Sequence, residues 1–138
     1  MWDGKTLAAD KQATNGNLAR TTTKIWRDGD ILMGGVGGLA ALHAVRAWAK
    51  AGMKQDDFPK IEKDDDLTFY VIPKVGPAVK FEGTACPMPV EDKWFAEGTG
   101  RDFAYGALEA GAGAYLAVEI TCKHDIYCGR GIDTLTFN

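Results

Sequence analysis

The sequence predicts a single α+β domain over residues 1–138, on three observations. Strand-like segments come first, then a helix, more strands, two helices and a closing strand, an order that suits an α+β sandwich better than alternating βα units. At 138 residues the chain is long enough for one sizeable core and short for two. No apolar run approaches the roughly 20 residues that span a bilayer, because glycines and charges interrupt the richest one.

The first element lies within Trp2–Thr14, WDGKTLAADKQAT. Asp3-Gly4 supplies a tight turn, Lys5–Ala9 reads as a strand of low polarity expected to be central, and Asp10-Lys11 breaks it. Asn15-Gly16 is a turn pair. The β-branched run Thr21-Thr22-Thr23 with Ile25-Trp26 then predicts a strand, which Asp28-Gly29 folds back into Ile31-Leu32-Met33. Lys24 is expected on the inner part of that hairpin, and taken alone it reads as a solvated strand lysine.

Gly35-Val36-Gly37-Gly38-Leu39-Ala40 fits the G-x-G-x-x-A fingerprint of dinucleotide sites, but the acidic residue that should end a second parallel strand is missing, since Asp56 and Asp57 fall in a polar segment. Two other readings of these glycines stand: a backbone N–H that approaches a substrate carbonyl, and close strand-to-helix packing. Leu39–Ala51 is predicted helical from the spacing of Leu39, Leu42, Val45, Trp48 and Ala49, with His43, Arg46 and Lys50 on the other side and Gly52 as its stop. His43 is thereby a surface residue and no catalytic base.

Lys54–Asp66 is polar and is expected to lack a long helix; Asp64-Asp65-Asp66 has no calcium-loop spacing. Leu67–Ile72, Ala78–Glu82 and Cys86–Val90 read as strands. Thr99 sits at a strand-to-helix junction, where an N-cap role is open to it, ahead of a helix through Phe103, Ala107 and Leu108. Ala114–Ile126 is predicted as the last helix, with Leu116, Ala117 and Ile120 on its apolar side, and Ile132–Phe137 as the closing strand.

Charge and cysteines narrow the function classes. A net charge of −3 offers no global field for nucleic acid or an anionic membrane. Three cysteines, an odd number, with no secretory signal fit a reduced, cytoplasmic setting. Cys122, His124 and Cys128 have a C-x-H-x₃-C spacing that matches no common zinc pattern, so neither a metal nor another cofactor is expected.

Two patches carry a family resemblance. DGKTLAAD followed by KQAT, and Gly98–Gly111 (GTGRDFAYGALEAG) followed by Asp125-Ile126-Tyr127-Cys128-Gly129, resemble proteasome β-subunits and their bacterial relative HslV, most closely short phage-encoded proteins of that kind. The resemblance implies the four-layer αββα sandwich of N-terminal-nucleophile hydrolases, with the second helix of the first pair largely deleted at residues 54–66. It also implies a threonine-type peptidase subunit in a homo-oligomeric ring, acting on peptides or unfolded proteins with a possible ATPase partner. By position, Asp10 and Lys24 would be the charged pair beside the nucleophile, Gly35 the oxyanion N–H, and Ala13-Thr14 part of the substrate groove. Thr99, Asp125 and Cys128 would be outer support, with Thr99 and Cys128 standing where relatives carry Ser. The family's nucleophile is an N-terminal Thr ahead of the Asp-Gly turn; with Met1-Trp2 there instead, the 138-residue form is expected to be inactive. The alternative is a ring or shell scaffold that keeps the fold without the chemistry.

Overall fold

The computed structural model describes residues Met1–Asn138. The chain forms two compact units, Met1–Trp26 with Asp92–Asn138, and Arg27–Glu91.

In the first unit, β1 (Leu7–Asp10) pairs antiparallel with β9 (Ile132–Leu135), Leu7 opposite Leu135 and Asp10 opposite Ile132. On the other edge of β1 the Asp3-Gly4 turn brings back Met1-Trp2: Ala8 N–H donates to Met1 O at 2.9 Å, and Trp2 bridges both Leu7 and Phe95. β1 is therefore flanked on both sides, as its low polarity predicts, and Leu7 and Ala8 are buried. A second hairpin joins β2 (Gln12–Asn15) to β3 (Leu18–Thr21).

Two helices, α2 (Arg101–Glu109) and α3 (Ala114–His124), follow one another and pack together, with α3 also against β1 and β9. Their contact surfaces are small: Ala104, Ala107 and Leu108 from α2, and Ala114, Ala117, Val118 and Thr121 from α3. The expected phases shift here. Leu116 and Phe103 are exposed, because the buried stripe of each helix runs through alanines, which sequence hydrophobicity weighs lightly against Leu and Phe. The start of α3 is held from the far end of the unit: Asp3 Oδ2 accepts Ala114 N–H at 2.8 Å, while Asp3 Oδ1 takes Lys5 N–H and Thr6 N–H in the turn.

In the second unit an antiparallel sheet runs in the order β4 (Ile25–Asp28, which enters from the first unit), β5 (Ile31–Val36), β6 (Thr68–Pro73), β7 (Val79–Phe81), β8 (Met88–Pro89). Helix α1 (Leu39–Lys50) lies on β5 and β6, burying Ala41, Leu42, Val45, Trp48 and Ala49. Trp48 meets Phe58 and Phe81 edge-on and donates its indole N–H to Lys54 O at 2.7 Å. Between α1 and β6 there are two single 3₁₀ turns, Gln55–Asp57 and Lys63–Asp65, and no longer helix, in line with the polarity of that segment. No helix of the protein is long and apolar enough to cross a membrane.

Candidate functional site

The first unit gathers Asp10, Lys24, Thr99, Asp125 and Cys128 around one loop. Asp10 ends β1. Its Oδ1 accepts Lys24 Nζ at 2.8 Å, and its Oδ2 accepts two backbone N–H groups, Gln12 at 3.1 Å and Gly129 at 3.0 Å. Both side chains of the ion pair are largely shielded, 20% exposed for Lys24 and 15% for Asp10, so the pair is less screened than a surface bridge. Lys24 is reached differently from expectation. β3 stops at Thr21 and β4 starts at Ile25, so Lys24 sits in the link between them and not within a hairpin; freed from a ladder, its side chain is free to turn toward Asp10.

Lys11, beside Asp10, holds that link. Its carbonyl accepts Thr22 N–H at 2.7 Å, and its Nζ reaches Thr23 Oγ1 at 3.2 Å and Asp133 Oδ2 at 2.8 Å. This second Lys–Asp pair was not singled out in the sequence, where nothing local links residues so far apart.

Thr99 does not take the N-cap role. The N-cap of α2 is Gly100, with no side-chain cap, and Thr99 Oγ1 donates instead to Asp125 Oδ2 at 2.6 Å. Gly100 makes the approach possible: a Cβ there would collide with the Thr121 methyl group and lie 2.9 Å from Asp125 Oδ2. Asp125 follows α3, which ends at His124 and not at Ile126, and its extended backbone (φ −93°, ψ 116°) turns the chain away from the helix axis. Its other oxygen accepts Tyr127 N–H at 2.9 Å.

Cys128 departs from expectation most. It is joined to Cys122 in a disulfide, so two of the three cysteines are not free thiols and Cys128 has no S–H to donate in the manner of a serine; Cys86 is free and exposed. The turn after α3 brings the two Cα atoms to 4.7 Å. What Cys128 supplies is backbone: its N–H donates to Asp125 O at 3.1 Å, and the next residue is the Gly129 whose N–H reaches Asp10. The five residues Asp125–Gly129 thus connect the Thr99–Asp125 contact to the Asp10–Lys24 pair.

A further group belongs to this site. The Met1 α-amine donates to Ala8 O at 2.8 Å, and although Met1 as a residue is half-buried, burial of the amine lowers its pKa from 8.0 to about 6. Asp10, Asp3 and Glu97 oppose that shift, and Lys24 adds to it. The arrangement therefore presents an amine that is largely neutral at pH 7, able to accept a proton, within the field of the Asp10–Lys24 pair.

Gly35 lies in the second unit, inside β5 opposite Phe69, and not at a strand-to-helix junction. A Cβ at this position would clash with Thr68 O and come within 2.9 Å of Leu42 Cδ2, which supports the close-packing reading. The antiparallel pairing of β5 with β6 also removes the parallel βαβ context that a dinucleotide fingerprint needs.

No protein-family model matches the chain, and no curated protein matches its sequence. Solved structures do match in shape. Eukaryotic HslV from Trypanosoma brucei is similar with a TM-score of 0.70 over 94% of this chain and 91% of that one, at 18% identity. Thiobacillus denitrificans BPH, in complex with epoxomicin, is similar with a TM-score of 0.70 over 96% of this chain and 92% of that one, at 15% identity. The chain has the mixed α/β fold of HslV over nearly its whole length.

Proposed function

We propose that the protein is a subunit of a threonine-type, proteasome-like peptidase with the four-layer sandwich of N-terminal-nucleophile hydrolases, and that it works as a homo-oligomeric ring on peptides or unfolded protein. The observation that carries this is the Asp10–Lys24 pair at the end of β1, fastened by two backbone N–H groups in a fold shared with HslV. A lysine cation held beside a chain-terminal amine keeps that amine neutral, so that it can take the proton from a terminal threonine hydroxyl as the hydroxyl attacks a peptide carbonyl. Thr99 and Asp125 are outer support, and Cys128 contributes through its backbone.

Strand register supports a place for the nucleophile ahead of Met1. Met1 is opposite Ala8 and Trp2 opposite Leu7, so residues added ahead of Met1 fall opposite Ala9 and then Asp10, which delivers a preceding threonine to the charged pair. Met1 itself has a thioether and no hydroxyl.

The test compares two chains. The 138-residue form should not hydrolyse peptides. A form extended upstream so that a free N-terminal Thr reaches Asp10 should hydrolyse them and react with epoxomicin, the ligand of the BPH structure. Lys24→Ala in the extended form should abolish both. Cleavage by the 138-residue form would remove the nucleophile assignment. An inert extended form would establish the second reading, a ring or shell scaffold without chemistry, which the loss of the Cys128 thiol to the disulfide favours.

A further inference from the structure

We propose that Cys122 and Cys128 form a reversible thiol–disulfide site that holds the Asp125–Gly129 loop in the shape its contacts with Asp10 and Thr99 require. Cys122 belongs to the last turns of α3, a helix anchored by fully buried Val118 and Thr121, so one end of the link is rigid. The other end adjoins Gly129, whose N–H supports Asp10. Between the two sulfurs the chain bulges into water: Ile126 is 80% exposed and Tyr127 50%. The bulge has no buried side chain of its own to fix it. Its noncovalent ties are mostly polar, Gln12 Nε2 to Ile126 O and Cys128 N–H to Asp125 O, each at 3.1 Å, and the Asp125 contacts with Tyr127 N–H and Thr99, with the His124 ring stacked on Phe103 where α3 ends. With so little packing, the covalent link supplies the order that a core would otherwise give.

The bond is placed for control as well as for structure. Both cysteines are only partly buried, against Ala8, Ala114 and Val118, so a small dithiol has access to them. They are six residues apart, and a link over so short a span restrains local conformations far more than it constrains the whole unfolded chain. The reaction is thiol–disulfide exchange with a dithiol reductant. A reductant thiolate attacks one sulfur, the Cys122–Cys128 bond breaks, and a mixed disulfide forms. The second reductant thiol then displaces the protein sulfur, leaving two protein thiols and a cyclic oxidised reductant. Reduction releases Gly129 from α3 and weakens the support of Asp10.

This inference is independent of the peptidase reading, because its readout is the loop and not turnover. Alkylation followed by intact-mass measurement should label Cys86 alone in the oxidised chain and all three cysteines after treatment with dithiothreitol. Amide exchange at Gly129 should speed up about tenfold or more on reduction, the scale set by losing one modest hydrogen bond, and return on reoxidation, while the amides of Val118 and Thr121 stay slow. Cys122→Ser should show the fast Gly129 exchange with or without reductant, and Cys86→Ser should behave as the parent. Labelling of all three cysteines before reduction overturns the proposal. So does equal Gly129 exchange in verified oxidised and reduced chains. Reduction that speeds exchange throughout α3 overturns it as well, by making the bond a general staple and not a local clamp.

Discussion

The buried α-amine of Met1 makes stability depend on pH in a window where few other groups titrate. Burial lowers its pKa in the folded chain from 8.0 to about 6. Between these values the unfolded chain binds more protons than the folded one, so stability rises with pH. The full penalty for protonating the amine is about 2.7 kcal/mol. It applies in full well below pH 6 and vanishes above pH 8, and about 2 kcal/mol of it appears between pH 6 and pH 8. The perturbation that isolates the amine is Nα-acetylation, which removes the titrating group and leaves every other one in place. Urea unfolding midpoints of the free and acetylated chains at pH 6 and pH 8 provide the measurement. Any steric cost of the acetyl group is the same at both pH values and cancels from the difference. The free chain should gain about 2 kcal/mol more than the acetylated chain between the two pH values. Equal gains would refute the reasoning, because they would mean that the amine is solvated in the folded state.

Other substitutions probe the same framework. Asp10→Ala leaves the Lys24 cation and the N–H groups of Gln12 and Gly129 without their acceptor in a shielded place, and should cost about 3 kcal/mol by urea unfolding, with faster exchange at Gly129. Gly35→Ala pushes a methyl group into Thr68 O and Leu42, and since a backbone oxygen cannot swing aside, a loss of about 2–3 kcal/mol should appear as a lower thermal midpoint; an unchanged midpoint would argue against the packing role. Asp3→Ala removes the acceptor at the start of α3 and that of the Lys5 and Thr6 amides, and should cost about 1–2 kcal/mol, with accelerated exchange in the first turn of that helix and at Lys5 and Thr6.

What the sequence determined by itself was local. The apolar spacing of Leu39, Leu42, Val45, Trp48 and Ala49 places α1 and, apart from the exposed Leu39, its buried face, the low polarity of Lys5–Ala9 places β1, and the polarity of residues 54–66 excludes a long helix, because each of these patterns is written in neighbouring residues. The two motif patches pointed to Asp10, Lys24, Thr99 and Asp125, all of which the first unit brings to or beside one loop. The phases of α2 and α3 were less legible, since alanine-rich faces pack by shape more than by hydrophobicity. Tertiary structure alone decided the partners: Gly129 N–H on Asp10 across 119 positions, Lys11 on Asp133 across 122, Asp3 on the start of α3 across 111. It also turned Cys128 from a serine substitute into half of a disulfide, once the break in α3 after His124 had brought Cys122 beside it. Hydrogen-bonding groups such as these accept many partners equally well. Which one they meet is settled only when the packed core has closed the chain and paid the entropy of bringing distant segments together.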